Sequence, residues 1–273
     1  MSSRPIRIVH VIARMNVGGP AILISELLKG LNNDTFQSRL ITGYCEENEV
    51  DYLKANNLDF DEIRIDGFGR SISPIADLKS LFLIMKALRK IKPDIVHTHT
   101  AKAGVIGRLT ALIAVPRAKR VHTFHGHLLH GYFSPNKTKI VIWIEKSLSR
   151  ITSLILAVGN KVRTDLLNVG IGKADSMKVT FPGLSVSTTN SRKQTREDLG
   201  ISEDETVLIF VGRLTNIKRP DRLINAYRDS LSAQTNSTLL VVGDGELKEE
   251  TEKAAAGLNV KFLGWRTDVY ELM

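Results

Sequence analysis

Cysteine, aromatic residues and long apolar runs are all scarce in this sequence. Its 273 residues include a single cysteine, Cys45, which excludes an intrachain disulfide and fits a reducing compartment. The most apolar stretches, such as 81–85 and 140–144, are far shorter than the roughly 20 residues that cross a bilayer. Residues 1–7 lack the apolar core of a signal peptide. We therefore expect a cytoplasmic protein that is soluble or peripheral to a membrane.

Two further absences narrow the function. The chain contains no G-x-G-x-x-G fingerprint, which argues against a nicotinamide-dependent dehydrogenase. Aromatic residues make up only 6% of the sequence and do not alternate with basic residues, as they would in a protein that stacks single-stranded bases. Nucleic acid is therefore not an expected partner.

Basic residues are concentrated in one part of the chain. The net charge is +9, and the segment 86–163 contains 15 Lys and Arg residues against only Asp94 and Glu145. An amphipathic helix predicted at 75–91 ends at the start of this segment. Such a block indicates an anionic partner, either a phosphorylated substrate or anionic lipid, and the alternative is a soluble basic surface. We expect docking on the inner face of the plasma membrane.

The chain alternates between predicted strands and helices, which is typical of a doubly wound α/β fold. A polar linker follows Pro182 and a second series of strands begins at Val207. The sequence predicts two Rossmann-like domains, 1–182 and 183–273, which face a cleft and join at a hinge near 181–187. The second shows only three strands and is expected to be incomplete. Predicted strands are 6–13, 38–43, 61–65, 94–98, 120–124, 153–158, 239–242 and 260–263, with principal helices at 21–31, 75–91, 104–114 and 137–149.

The segment V-L-I-F-V-G-R-L-T-N-I-K-R-P, residues 207–220, is the most informative in the chain. A buried strand ends in Gly212 and is followed by Arg213 and Lys218, just before a helix. Ligands of open α/β sheets bind beyond the carboxyl ends of strands. Arg offers a planar fork and Lys a point charge, which together suit a diphosphate. The alternative is a glycine turn with two solvated cations.

A second glycine loop, N-V-G-G-P, follows the first predicted strand. Gly18 and Gly19 open a helix there, so backbone N–H groups and the helix N-terminus can face an anion. The alternative is a tight strand-to-helix turn. Later in the chain, G-D-G at 243–245 ends a strand and permits close approach of a nucleotide, whereas D-F-D at 59–61 is interpreted as solvated surface.

Six of the seven histidines lie between His97 and His130. We expect no metal, because these side chains are predicted to divide between the two faces of the strands and Asp94 is the only nearby carboxylate. His125, just past a strand end, is best placed to meet a substrate. His99 ends the H-T-H strand, and Lys102 and Arg108 follow it at a helix start, where they are candidates to hold a phosphate. The alternative for Arg108 is a solvated helix face.

These motifs occur in the order of a known family. The chain resembles the family 4 retaining glycosyltransferases, which have the GT-B fold. The resemblance rests on the glycine loop, H-T-H-T-A-K-A-G-V-I-G-R, T-F-H-G-H, the F-P-G hinge, V-G-R-L-T-N-I-K-R-P, V-V-G-D-G-E-L and V-K-F-L-G-W. Within the family, the sequences of these motifs are most similar to those of enzymes that extend capsule, exopolysaccharide or undecaprenyl-diphosphate-linked glycans.

The resemblance implies a role for each candidate residue. Arg213 and Lys218 would hold the diphosphate of a sugar nucleotide, and His125 would contact the sugar near the reacting carbon. The resemblance implies no metal and no other cofactor, retention of the donor's anomeric configuration, and a glycan or polyprenyl-linked acceptor. Residues implied to close the cleft are Gly18 and Gly19, and residues implied to lie near the nucleoside are Gly243, Asp244 and Gly264.

Two other functions remain open from the sequence. A sugar-nucleotide 2-epimerase uses the same two-domain architecture. The second alternative is a truncated, non-catalytic chain that only binds glycan or membrane. It stays open because the family's downstream E-x7-E motif does not follow the third strand of the second series.

Overall fold

The computed structural model of the chain describes residues 4–47, 49–69, 71, 73–126, 134–183, 188, 190–231 and 236–273. They form two compact units, 1–185 and 186–273. The predicted α/β class is confirmed, because each unit is built on its own parallel sheet. Residues 184–187 of the predicted hinge lie outside the described ranges, so the hinge and the cleft stay predictions.

The first unit contains a seven-stranded parallel sheet in the order β3-β2-β1-β4-β5-β6-β7. The order reverses between β1 and β4, and this switch point is where doubly wound sheets bind ligands. The strands are β1 Ile6–Ile12, β2 Phe36–Thr42, β3 Glu62–Arg64, β4 Ile95–His99, β5 Lys119–Phe124, β6 Leu154–Ala157 and β7 Met177–Val179.

Helices cover both faces of this sheet. Proline at the first turn of α1, α3 and α5 fixes the starting backbone angle where a missing N–H costs nothing. Lys92 ends α3 in the left-handed conformation, immediately before Pro93. The helices are α1 Gly19–Gly30, α2 Tyr52–Ala55, α3 Pro74–Ile91, α4 Ala101–Ala114, α5 Pro135–Ser149 and α6 Asn160–Asn168, with a 3-10 turn at Ala174–Ser176.

The buried apolar residues of the sheet divide between its two faces. One face packs Val9, Val11 and Val96 against Ile84 and Leu88 of α3. On another side, Ile12 and Leu40 pack against α1. The central strands are therefore covered on both sides, which explains why β1 and β2 read as almost continuous apolar runs in the sequence.

The second unit contains three parallel strands in the order β10-β9-β8. Its core packs Leu239 and Val241 against Ile224 and Tyr227, and the Tyr227 hydroxyl lies 3.0 Å from the carbonyl oxygens of both Ser237 and Asn259. The elements are α7 Arg192–Asp198, β8 Thr206–Val211, α8 Pro220–Leu231, β9 Ser237–Val242, α9 Lys248–Ala254, β10 Val260–Gly264 and α10 Val269–Leu272.

Candidate functional site

Four histidines lie together at the switch point of the first sheet. His10 of β1 pairs in register with His97 of β4, and His99 follows two residues later on the same face. His10 Nδ1 lies 3.2 Å from His99 Nε2, and His99 Nδ1 lies 2.9 Å from His125 Nε2. His97 Nε2 lies 2.7 Å from the Thr123 hydroxyl. Strands β1 and β4 and the residue after β5 thus bring the four imidazoles together: His10, His99 and His125 are linked by hydrogen bonds, and the His97 ring packs against those of His10 and His99.

The arrangement corrects one expectation and adds a residue that the sequence analysis did not single out. Residues two apart on a strand share a face, so His97 and His99 lie together rather than on opposite sides, with ring centroids 4.1 Å apart. His10 was not a sequence candidate at all. His122 does lie on the other face, where its Nδ1 is 2.8 Å from the Thr98 hydroxyl. His127 and His130 fall outside the described residues.

Burial keeps this group uncharged at neutral pH. Desolvation lowers the pKa of His10 and of His125 to about 4, and it lowers the pKa of His97 and His99 well below the ordinary value. Repulsion among the neighbouring imidazoles adds to the shifts of His97 and His99. Neutral imidazoles can accept or donate one hydrogen bond per ring nitrogen, but they do not attract an anion by charge.

Neutral imidazoles are also metal ligands. One ring nitrogen from each of His10, His97 and His99 lies within 4.8 Å of the other two. All three rings are buried, and no carboxylate belongs to this group among the described residues. Hydrogen bonds already engage His10 Nδ1, both nitrogens of His99 and His97 Nε2. The expectation that no metal binds stays a prediction.

Strained backbone marks the carboxyl end of β4. Thr100 caps α4 at φ 67°, a left-handed angle that a β-branched residue rarely adopts. Its buried hydroxyl has no hydrogen-bond partner within the described part of the chain. Strain of this kind is concentrated at functional sites, and Thr100 follows His99 directly.

The glycine loop after β1 is open. A Cβ at Gly18 would come no closer than 3.9 Å to another atom, and a Cβ at Gly19 would meet nothing within 4 Å among the described residues. No side chain caps α1 there. Gly18 has φ 158°, a backbone conformation that residues with a side chain rarely adopt, whereas neither packing nor φ requires glycine at 19 among the described residues.

The structure corrects the interpretation of Arg108. Its side chain is fully buried, and Nη2 donates to both oxygens of Glu145, at 2.9 and 2.7 Å. Gly104 and Gly107 let α4 lie against the sheet, since a Cβ on either would come within 2.6 Å of His122 or Thr98. Arg108 is therefore a structural link between α4 and α5, neither a phosphate ligand nor a solvated side chain.

The other two candidates at the end of β4, His99 and Lys102, also have partners within the first unit. His99 is fully buried, and its two ring nitrogens lie within hydrogen-bonding distance of His10 and of the half-buried His125. Lys102 lies 2.5 Å from an Asp77 carboxylate oxygen and donates to the Ser71 carbonyl at 2.6 Å. Lys102 thereby joins α4 to α3, and a phosphate would have to displace Asp77 to reach it.

In the second unit, two of the cations that follow β8 have no ion-pair partner among the described residues. Arg213 and Lys218 are both exposed, and neither has an ion-pair partner among the residues that the structure describes. The neighbouring Arg219, by contrast, pairs with Asp221 at 2.5 Å. The two residues predicted to hold a diphosphate are thus available to an anionic ligand.

Three strand-end loops interlock beside these cations. A Cβ on Gly243 would lie 2.0 Å from the Gly212 carbonyl oxygen, and a Cβ on Gly245 would lie 2.4 Å from that of Leu214. Gly243 N donates to the Gly264 carbonyl at 2.7 Å. Glycine is therefore required for packing at 243 and 245. Gly264, at φ 65°, has open space around it.

Asp244 projects from the middle of these loops. It is exposed, and its carboxylate accepts from Gly245 N at 2.7 Å and from Lys248 Nζ at 3.2 Å. The backbone hydrogen bond from Gly245 is the main cause of its lowered pKa. Asp244 is thus a fixed, ionised acceptor at the carboxyl end of β9.

Comparison with known families decides the identity. Residues 17–186 match the model of Glycosyltransferase Family 4, and residues 191–273 match that of Glycosyl transferases group 1. The chain belongs to Glycosyltransferase Family 4. The first match spans most of the first unit, and the second spans almost all of the second unit. The chain is therefore a glycosyltransferase, and the predicted family is confirmed.

Individual relatives agree with this assignment. This glycosyltransferase is 28% identical to the UDP-Gal:alpha-D-GlcNAc-diphosphoundecaprenol alpha-1,3-galactosyltransferase of Escherichia coli, over 98% of the chain and 71% of the relative. It is 25% identical to the capsular polysaccharide biosynthesis glycosyltransferase CapM of Staphylococcus aureus, over 76% of the chain and 59% of the relative.

A solved structure shares the fold. Anabaena HepE in complex with UDP and glucose superposes with a TM-score of 0.77 at 20% identity, over 98% of this chain and 71% of that one. This likeness confirms the GT-B class. None of the described helices in the glycosyltransferase is long and apolar enough to cross a membrane.

Proposed function

We propose that this glycosyltransferase moves a sugar from a nucleoside diphosphate sugar to a glycan or polyprenyl-linked acceptor during synthesis of a cell-surface polysaccharide. The observation that carries the proposal is that two exposed cations, Arg213 and Lys218, follow the carboxyl end of β8 and have no ion-pair partner among the described residues. Support for the chemistry comes from relatives named for capsule synthesis and for transfer to a diphosphoundecaprenol-linked sugar, and from HepE bound to UDP.

Donor binding follows from the loops of the second unit. Arg213 and Lys218 would neutralise the diphosphate, and that charge must grow as the sugar–phosphate bond breaks. Because two side-chain cations can supply this stabilisation, no metal is required. Gly264 leaves space for the nucleoside, and Asp244 offers a carboxylate to a ribose hydroxyl. The HepE complex favours a uridine nucleotide.

The first unit would complete the reaction. His125 is half-buried and follows β5 directly, so its imidazole is held at the carboxyl edge of the sheet, where the family resemblance puts the sugar contact. The Gly18–Gly19 loop would border the same space. We expect the anomeric configuration of the donor to be retained, which the proton coupling at the anomeric carbon of the product tests.

Replacing either cation is expected to weaken donor binding. A charged hydrogen-bond donor typically contributes about 1.5–3 kcal/mol, so Arg213→Ala and Lys218→Ala should each raise the dissociation constant for UDP about tenfold or more. Calorimetric titration of UDP measures this. Lys193→Ala is the control, since Lys193 is an exposed cation of the same unit that lies on α7, outside the three strand-end loops, and pairs with Glu197.

The outcomes separate the competing functions. Unchanged affinity in both variants would remove Arg213 and Lys218 from the donor site. Conversion of a UDP sugar into its 2-epimer without any acceptor would replace the transferase with an epimerase. Release of UDP that requires a lipid-linked acceptor supports transfer.

A polyprenyl-linked acceptor would lie in a membrane, and the first unit has a surface suited to bind one. Helices α3, α4 and α5 pack side by side and expose large apolar side chains, including Phe82 (59%) and Trp143 (69%). Basic residues are interspersed among them. This combination is typical of surfaces that lie in the interface of an anionic bilayer. The other exposed apolar residues are Ile75, Leu78, Leu109, Leu112, Ile113 and Ile140, and the exposed basic residues are Lys79, Lys86, Arg89, Lys90, Lys137, Lys139 and Lys146.

Anionic liposomes are therefore expected to capture the protein at low salt. Each basic residue near the surface contributes about 1 kcal/mol, and the apolar side chains add burial in the headgroup layer. Flotation with phosphatidylglycerol vesicles should recover the wild type, whereas the double variant Phe82→Glu/Trp143→Glu should stay in solution. Val50→Glu, which alters an exposed apolar residue elsewhere in the unit, is the control. Equal recovery with neutral vesicles would contradict docking at the inner membrane face.

A further inference from the structure

Three imidazoles form a hydrogen-bonded row that ends at His125. The row begins at His10 in β1, passes through His99 at the end of β4 and reaches His125 after β5. Its two N···N distances are 3.2 and 2.9 Å. The first two rings are fully buried, so the row connects the interior of the sheet to the residue that the proposed function places against the donor sugar.

Each ring in the row is neutral at pH 7, since burial lowers all three pKa values, to about 4 for His10 and His125. A neutral imidazole has one N–H and one bare nitrogen. Each N···N hydrogen bond needs one proton, so fixing the direction of one bond fixes the other. The row therefore has only two possible arrangements, which give opposite tautomers of His125.

The inner end of the row selects between them. His10 Nε2 is buried and has no hydrogen-bond partner within the described ranges. If protons pointed inward, this nitrogen would carry an N–H with nothing to receive it, and buried donors without an acceptor are rarer than buried acceptors without a donor. If protons point outward, His10 Nδ1–H donates to His99, and His99 Nδ1–H donates to His125 Nε2.

We propose that His10 and His99 are positioning residues that hold His125 in a single tautomer, with a bare Nε2 turned to His99 and a protonated Nδ1 left to donate a hydrogen bond to the donor sugar. This inference deepens the proposed function and rests on it only for the identity of the ligand. The fixed ring would present one donor in one direction, so a sugar oxygen meets it without any rearrangement. The same logic orients histidines that a neighbouring hydrogen bond holds in other sites.

Nitrogen-15 NMR of the unliganded protein tests the row without any assay of transfer. Two-bond correlations identify which ring nitrogen of His125 carries the proton. We expect a protonated Nδ1 and a bare Nε2 in the wild type. His99→Leu removes the donor, so His125 should shift toward a protonated Nε2, whereas His99→Asn can place an amide N–H near the former Nδ1 and should restore the original tautomer. A protonated Nε2 in the wild type, or an unchanged tautomer in His99→Leu, would overturn the proposal.

Transfer kinetics then test the consequence. With a UDP sugar as donor, His99→Leu should lower kcat about tenfold, the effect of losing one oriented hydrogen bond, and His99→Asn should recover most of it. His122→Gln removes a buried histidine outside the row and should leave the His125 tautomer unchanged. If His99→Leu misfolds, His10→Asn and His10→Leu repeat the comparison one ring further in. A wild type with the expected tautomer but no transfer would count against the proposed function alone, whereas full activity in a His99→Leu protein with the altered tautomer would overturn the positioning role.

Discussion

Acidification from pH 7.5 to 5 is expected to destabilise the first unit by several kcal/mol. His10 and His125 have pKa values of about 4 in the folded protein, against about 6.5 when unfolded. Between these values the unfolded chain binds protons that the folded chain does not, so the free energy of unfolding falls as the pH falls. Below its unfolded pKa, each such histidine lowers the free energy of unfolding by about 1.4 kcal/mol per pH unit, which amounts to about 2 kcal/mol at pH 5.

Urea denaturation followed by circular dichroism at pH 7.5, 6 and 5 measures this loss. The low pKa of Asp94, about 2, contributes nothing in this window because its stabilisation is lost only below pH 4. Replacing His10 with Asn should reduce the slope by about one proton. A free energy of unfolding that stays constant from pH 7.5 to 5 would show that these imidazoles are not buried and neutral.

Glu145→Ala is expected to destabilise the first unit by about 3–5 kcal/mol, because it leaves the Arg108 guanidinium charged, buried and without its partner. Burial raises the pKa of Glu145 and lowers that of Arg108, and the attraction between them opposes both shifts. The two charges compensate each other only as a pair. The double variant Arg108→Met/Glu145→Leu should therefore recover much of the loss.

Chemical denaturation of the two variants tests this compensation. The informative quantity is the difference between them rather than either value alone, since the double variant also changes packing between α4 and α5. A double variant less stable than Glu145→Ala would mean that the ion pair itself stabilises the fold. A loss below 1 kcal/mol in Glu145→Ala would mean that water reaches Arg108.

Much of the fold could be predicted because its signals are local. Strands β1 and β8 are rich in β-branched residues and each is followed by a glycine-containing loop, and the helix α3 shows apolar periodicity and ends before Pro93. Short elements lack such signals. Strand β7 has only three residues, and α6 has just two buried side chains, so neither was predicted. Pairing with β6 forms β7, and no local pattern records that contact.

Site residues that lie at strand ends could be predicted from the sequence, whereas contacts between side chains far apart in the chain could not. The positions of Gly212, Gly243 and the two free cations could be predicted, because each lies just after a strand that is evident in the sequence. The burial of Arg108 could not be predicted, because its partner Glu145 lies 37 residues later in the chain. His10 was missed for a related reason, although a lone histidine inside the apolar run of a central strand is a signal worth using.

Binding of UDP at the three strand-end loops is the central claim, and backbone NMR of glycine amides tests it most directly. Gly212, Gly243 and Gly264 lie at the carboxyl ends of β8, β9 and β10, whereas Gly200 and Gly257 precede β8 and β10 at the other end of the same sheet. On titration with UDP, we expect the first three amide signals to shift with one common dissociation constant and the last two to stay in place. Shifts confined to Gly200 and Gly257, or none at any of the five at millimolar UDP, would contradict a donor site on these loops.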